Sequence, residues 1–242
     1  MAHGTIRIGT SGWNYDHWIG PFYPDGLPKK QWLQFYADRF HSVEVNNSFY
    51  QLPTEKTLRV WKEVVPRGFR FAVKCSRYVT HMKKLKDPAE SIAKLFDRVD
   101  VLGAYLGPVL FQLPPNWNFD AARLEAFLDG LPGGHRYVFE FRDPDWWNDR
   151  TYELLREAGA AFCQYDLAGE QSPREITADF VYVRLHGPGE AYEGSYGEQA
   201  LRGWAGALSA WAARGRDVYC YFDNDQNGYA ARNAARLREM LG

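Results

Sequence analysis

The sequence predicts a single α/β domain of the TIM (β/α)8 barrel class. Three observations carry this reading. Eight short runs rich in Val, Ile, Tyr and Phe recur along the chain at roughly the 30-residue length of one βα unit. Longer amphipathic segments separate them, the alternation that builds a parallel sheet. The 242 residues match one barrel of ~250 residues and leave no room for a second, so the domain is taken as 1–242.

The elements follow in order. Residues 5–10 form the first strand, and a helix near 28–40 follows. The second strand, 42–46, precedes a helix near 54–65. The third, 69–75, leads to Asp87-Pro88-Ala89-Glu90, which reads as a helix start. Asp87 caps, Pro88 takes the first helical position and Glu90 closes a capping box. Ile92, Leu95, Phe96, Val99 and Leu102 then recur at helical spacing, and Gly103 supplies the stop. The fourth strand, 108–113, precedes a helix marked by Leu124, Phe127, Leu128 and Leu131. The fifth, 137–141, is followed by a helix near 149–159. The sixth, 161–166, runs into a segment, 167–178, that reads as loop without a regular helix. Strands 180–185 and 217–222 each precede a helix, near 198–214 and 226–241.

The rival architecture is an open doubly wound sheet. No Gly-x-Gly-x-x-Gly follows the first strand, and neither a Walker A motif nor His-Glu-x-x-His occurs. The 45% hydrophobic content excludes a disordered chain. A net charge of -1 argues against a uniformly basic nucleic-acid binder. The charge is uneven, however: residues 1–90 carry 14 Lys/Arg against 8 Asp/Glu, and the remainder is acidic. Residues 67–86 hold seven basic side chains and no acidic one, either a solvated helix end and loop or an anion site. Cys75, Cys163 and Cys220 are odd in number and show no CxxC spacing, which suggests reduced thiols in a cytoplasmic protein. The N-terminus lacks a signal-peptide hydrophobic region, and no apolar run approaches the ~18 residues that span a membrane. The aromatic content is high at 16%, enough to fill a core, line a site, or both.

Motifs along the strand ends carry a resemblance. They include Ile8-Gly9-Thr10-Ser11-Gly12-Trp13, Val43-Glu44-Val45-Asn46-Asn47-Ser48-Phe49-Tyr50 and Phe71-Ala72-Val73-Lys74 with Thr80-His81. Phe111-Gln112-Leu113-Pro114-Pro115, Glu140-Phe141-Arg142, Tyr182-Val183-Arg184-Leu185-His186-Gly187 and Tyr221-Phe222-Asp223-Asn224-Asp225 continue the series. In this order they resemble the YecE-like family, a domain-of-unknown-function family, over essentially the whole chain. The resemblance implies a TIM barrel and a single-domain cytosolic protein of bacteria or archaea, and it implies no reaction. Relatives often carry Asn where this chain has Asp223.

In a TIM barrel the functional face lies at the strand C-termini. Side chains alternate along a strand. Glu44 and Asn46 therefore share a face, as do Ala72 and Lys74, Leu110 and Gln112, and Glu140 and Arg142. So do Tyr182, Arg184 and His186, and Tyr221 and Asp223. Ionisable groups at these inward positions are either a structural ion network or a polar pocket. On the pocket reading, Glu44, Glu140 and His186 are catalytic candidates. Lys74, Arg142 and Arg184 form an anion clamp, with His81 in the following loop. Asn46, Gln112 and Asn224 orient the ligand, Asp223 joins the site, and Trp13 and Tyr50 supply aromatic contacts.

Glycoside hydrolysis is disfavoured: the one suitable carboxylate pair, Glu44 and Glu140, sits on strands two and five, whereas many barrel glycosidases place their acids after strands four and seven. Glu44, Glu140, Asp166, His186 and Asp223 are the possible metal ligands, but neither a metal nor another cofactor is expected. The expected partner is a small anionic ligand or a nucleic-acid phosphate, with no membrane. The sequence thus supports an enzyme acting on a phosphorylated or other anionic ligand. Its alternatives are a non-catalytic nucleic-acid binder in the same groove and a structural protein with a filled mouth.

Overall fold

Each predicted strand forms in the computed structural model, which describes residues 3–242. Met1 and Ala2, the start of the expected 1–242 domain, lie outside the described residues. The barrel strands are β1 (Ile6–Thr10), β2 (Ser42–Val45), β3 (Arg70–Lys74), β4 (Leu106–Gln112), β5 (Tyr137–Glu140) and β6 (Ala161–Leu167). After a two-residue strand, β7 (Glu170–Gln171), come β8 (Phe180–Leu185) and β9 (Asp217–Phe222). The sheet order is β1-β9-β8-β6-β5-β4-β3-β2, and every pairing along it is parallel. The segment read as loop contains no helix. It turns back as β7, antiparallel to β6.

Seven α-helices pack outside: α1 (Trp32–Ala37), α2 (Glu55–Val64), α3 (Ala89–Val99), α4 (Ala121–Asp129), α5 (Asp149–Glu157), α6 (Glu198–Ala213) and α7 (Tyr229–Leu241). Side-chain oxygens open three of them. Thr54, Asp120 and Asn148 accept from the backbone N–H three residues on, satisfying donors that the first helical turn leaves free. The expected capping box at Asp87 does not form. Asp87 is in the left-handed region (φ 42°), and Pro88 occupies the cap position without a side-chain hydrogen bond. The periodicity of α3 nonetheless holds, because Ile92, Leu95, Phe96 and Val99 all face the sheet and are buried.

The barrel interior is a small cluster. It contains Ala72, Leu110, Val138, Ala161, Cys163, Phe180, Tyr182, Tyr219 and Tyr221. The larger core lies between sheet and helices and takes most of the aromatics, including the fully buried Trp18, Trp32 and Trp146. All three cysteines are buried and free. No helix among the described residues is long and apolar enough to cross a membrane.

The seam between β1 and β2 closes the barrel differently from the other strand pairs. The two share one bridge, Ser11 to Glu44, just past the end of β1. Tyr36 of α1 completes the closure. Its hydroxyl accepts from Thr10 N (2.9 Å) and donates to Ser42 O (3.0 Å), spanning the two strands where a ladder is missing. Gly9 permits the close approach, since a Cβ there would lie 2.1 Å from Ser42 O and 2.9 Å from the Tyr36 hydroxyl. Gly9→Ala is therefore expected to destabilise the fold by about 1–3 kcal/mol, the usual penalty of overpacking. The check is a lowered urea midpoint with an unchanged slope. A wild-type midpoint would mean that the seam opens without cost.

Candidate functional site

Inward residues near the strand C-termini meet in one network, and its centre is Arg184 of β8. Glu44, Glu140, Arg184 and His186 are all fully buried. Arg184 Nε donates to Glu44 Oε2 (3.0 Å) and Oε1 (3.2 Å). Its Nη2 donates to Glu44 Oε1 (2.7 Å) and Asp223 Oδ2 (3.0 Å). Its Nη1 donates to Glu140 Oε2 (2.8 Å) and faces His186 Nε2 (3.4 Å). Of the five N–H donors of a guanidinium, four here meet carboxylate oxygens, and the fifth faces the imidazole that Arg142 also engages. Glu44 also accepts from Ser11 Oγ (2.7 Å) and Tyr182 OH (2.6 Å). Arg184 and Glu44 are thus buried against each other, with Arg184 committed mainly to carboxylates and Glu44 to Arg184, Ser11 and Tyr182.

His186 is held in one tautomer. Arg142 Nη2 donates to its Nε2 (2.9 Å), and a guanidinium can only donate. The ring proton therefore sits on Nδ1 and points to Asp223 Oδ2 (3.0 Å). Arg142 Nε donates to Glu140 Oε1, and its guanidinium lies 4.9 Å from the Tyr165 ring centroid. Burial alone would raise the pKa of Glu140, but the guanidiniums of Arg142 and Arg184 outweigh it and hold the carboxyl well below the usual range. Asp223 is likewise lowered, with burial opposing and Arg184 and His186 prevailing. Only Oδ2 of Asp223 is engaged among the described residues, and its side chain is 14% exposed.

Lys74, at the end of β3, differs from these groups. No carboxylate lies within 4 Å of its ammonium among the described residues, which instead faces the Phe49 ring at 4.3 Å. Burial and the like charge of Arg184 lower its pKa to about 8, against the pull of Asp223, Glu140 and Glu44. Register brings Asn46 beside it, one residue beyond the Val45–Val73 pair. Asn46 Oδ1 is buried without a donor and borders a cleft of about 580 Å³ that Trp13, Tyr15 and Trp61 also line. Gln112 is buried nearby on β4 and donates to Leu113 O (3.3 Å).

The remaining candidates lie apart. Asn224 is fully buried outside the strand ring, where its amide donates to Gly194 O (2.8 Å) and Asn233 Oδ1 (2.9 Å). These bonds secure the loop after β8, while its Oδ1 is buried without a donor. Asp166 accepts from Gln171 of the β7 turn (3.0 Å), away from the network. Trp13 packs edge-on against Trp61 in the core, and Tyr50 is 75% exposed. His81 bonds Thr80 Oγ1 (2.9 Å) and packs on Phe49, and burial, Lys74 and Arg77 lower its pKa. Sequence reasoning missed Ser11 and Tyr182 as partners of Glu44. Tyr182 carried a signal, since it shares the inward face of Arg184. Ser11 and the Tyr15 hydroxyl that donates to its carbonyl (2.7 Å) depend on a loop with no local marker. Among the described residues no group of three or more His, Cys, Asp or Glu is arranged to hold a metal ion.

Comparison with known proteins agrees with this architecture. A family model described as protein of unknown function DUF72 matches residues 7–242. UPF0759 protein YunF of Bacillus subtilis (strain 168) is 28% identical over 271 residues, covering 98% of this chain and 94% of YunF. UPF0759 protein YecE of Escherichia coli (strain K12) is 29% identical over 143 residues, 59% of this chain and 50% of YecE. A solved DUF72 family protein from Thermotoga maritima MSB8 superposes with a TM-score of 0.89 at 29% identity, covering 98% of this chain and 99% of that one. The YecE-like resemblance and the barrel are both borne out.

Removing the central guanidinium strands three buried carboxylates. Arg184→Met is expected to cost about 3–5 kcal/mol, the range for breaking a buried pair from one side. Urea unfolding at pH 7 checks it, and a variant as stable as wild type would contradict it. In the wild-type protein Glu140 and Asp223 have folded pKa values below the unfolded ones of ~4.3 and ~3.9. Their contribution is therefore complete above those values and is lost as pH falls through the folded ones.

Proposed function

The chain belongs to the DUF72 family, and on that footing we propose that it is an enzyme acting at the C-terminal mouth of the barrel on a small anionic ligand such as a phosphorylated compound. One observation carries the reading: Lys74 is a mostly buried cation at the mouth with no carboxylate within 4 Å among the described residues, beside a network whose other charges are paired. An unpaired buried ammonium is costly, and a ligand oxyanion relieves the cost. Asn46 lies next to Lys74 and offers an unpaired carbonyl to a ligand donor. Asp223 offers its free Oδ1 to a ligand donor, with its other oxygen fixed by Arg184 and His186. Arg142 contributes positive charge beneath the ligand, and Gln112 borders it. Glu44 and Glu140 act as positioning residues, because they fix Arg184 and Arg142 and through them Asp223 and His186.

A structural protein with a filled mouth is the second reading, and the pairing of the buried Arg184 with three carboxylates favours it. The nucleic-acid reading gains less support, because the basic run splits between the two ends of β3. Arg70 opens the strand and Lys74 closes it.

Sulfate is the probe that separates these readings, since it stays dianionic across the working pH range. Titration is followed by NMR at the backbone of Lys74 and the side-chain amide of Asn46. Saturable shifts are expected, with at least tenfold weaker binding in Lys74→Gln and an unchanged thermal midpoint. Affinity at this site should fall as pH rises through about 8, where Lys74 loses its charge. Absence of binding, or pH-independent binding retained in Lys74→Gln, would leave the structural reading in its place.

A further inference from the structure

We propose a second anion site at the opposite, N-terminal end of the barrel, where Arg7, Arg70 and Arg136 converge to bind a phosphate or sulfate group. This inference does not depend on the mouth being catalytic. Arg7 is on β1, Arg70 opens β3 and Arg136 immediately precedes β5, so the three come from alternate strands, as side chains of one barrel layer do. By strand alternation Arg70 shares the inward face of Ala72, and Arg136 that of Val138. Arg136 reaches across the barrel, donating to Asp217 Oδ2 (2.8 Å) and Tyr219 OH (3.2 Å) on β9, a strand that is not its neighbour.

The three guanidiniums border a cavity of about 510 Å³, within the range of small-ligand sites. Gly103, Gly107 and Gly134 line its other walls, leaving backbone accessible where a side chain would intrude. Two acids share the lining, Asp100 and Asp217, so guanidiniums outnumber carboxylates. Asp100 faces His135 (3.6 Å), and Asp217 is taken by Arg136. Asp179, 3.9 Å from Arg136, is 81% exposed to solvent.

Donor satisfaction is the second, independent observation. Arg7 makes no side-chain hydrogen bond among the described residues, although its side chain is only 14% exposed. Its Nη1 is buried without a partner, and Asp217 stands off at 3.7 Å. Arg70 has no carboxylate within 4 Å among the described residues and donates only to Phe69 O (3.1 Å). A buried guanidinium nitrogen without a hydrogen-bond partner, as at Arg7 Nη1, is costly, and the partly buried Arg70 lacks a counter-ion beside it. An oxyanion with several acceptor oxygens would satisfy Arg7 and Arg70 together, in the fork geometry that arginine presents. This also gives Arg70 of the basic 67–86 run a role that the mouth does not. Ligands that bind only the folded state raise its stability, so occupancy would brace the base of the barrel.

The test uses sulfate, inorganic phosphate and glycerol 3-phosphate against the full chain, with sodium chloride matched for ionic strength. Backbone NMR shifts of Arg7, Arg70, Gly107 and Gly134 report this end alone. Saturable shifts and a raised thermal midpoint are expected with sulfate. The shifts at these residues should be unchanged between pH 7 and 9.5, because arginine keeps its charge, and both they and a raised midpoint should persist in Lys74→Gln, which lacks the cation at the mouth. Arg70→Gln should weaken binding at least tenfold. Arg7→Gln provides the same test if Arg70→Gln folds poorly. Tighter binding of glycerol 3-phosphate than of inorganic phosphate would assign a phosphate ester, and the reverse a free anion. No saturable shift at these residues, equal binding in the arginine variants, or loss in Lys74→Gln would overturn the proposal.

Discussion

The mouth of this barrel is organised by the placement of one guanidinium, that of Arg184, inside a ring of strands. Three carboxylates and an imidazole contact it, and they come from β2, β5, β8 and the end of β9. A charge placed there without partners would be prohibitively desolvated, so each partner must arrive in register. The seam between β1 and β2 is where that register is most exposed to error. Among the described residues Ser11 and Glu44 form its one bridge, and the same two residues hydrogen-bond through their side chains. Closure of the barrel and completion of the ion network are therefore one event.

Pairing at the centre changes the meaning of the charges around it. Arg142 and Arg184 are bound by carboxylates and fix the ring of His186. Lys74, one strand away from Glu44, is left with an aromatic face and no counter-ion within 4 Å among the described residues. The barrel thus has a paired interior and, at its two ends, cations with no carboxylate within 4 Å among the described residues, Lys74 above and Arg70 below. That contrast, rather than the number of basic residues, distinguishes a structural network from a site that awaits a ligand.

Much of the fold was legible because period and spacing are local properties. Strand alternation placed Glu44, Glu140, Arg184 and Asp223 on inward faces, and they do meet. What alternation cannot supply is which partners exclude which. Arg184 read as a ligand clamp because its three acids lie 140, 44 and 39 residues away in sequence. Asn224 follows Asp223 directly and so points to the opposite face, where it bonds Asn233. Asp87 lost its expected capping role because a left-handed turn precedes α3, and the Asp-Pro pattern alone does not reveal that turn.

The most direct measurement is the titration of the Lys74 amine itself, by NMR of protein carrying isotope-labelled lysine, with Lys74→Gln to assign the signal. If the Arg184 network leaves Lys74 unpaired, its amine titrates near 8 in the free protein and moves upward when sulfate is added. A signal titrating at the ordinary lysine value of about 10.4 and indifferent to sulfate would contradict it. Such a result would mean that the cation at the mouth is already solvated or paired, and that the barrel end holds no ligand.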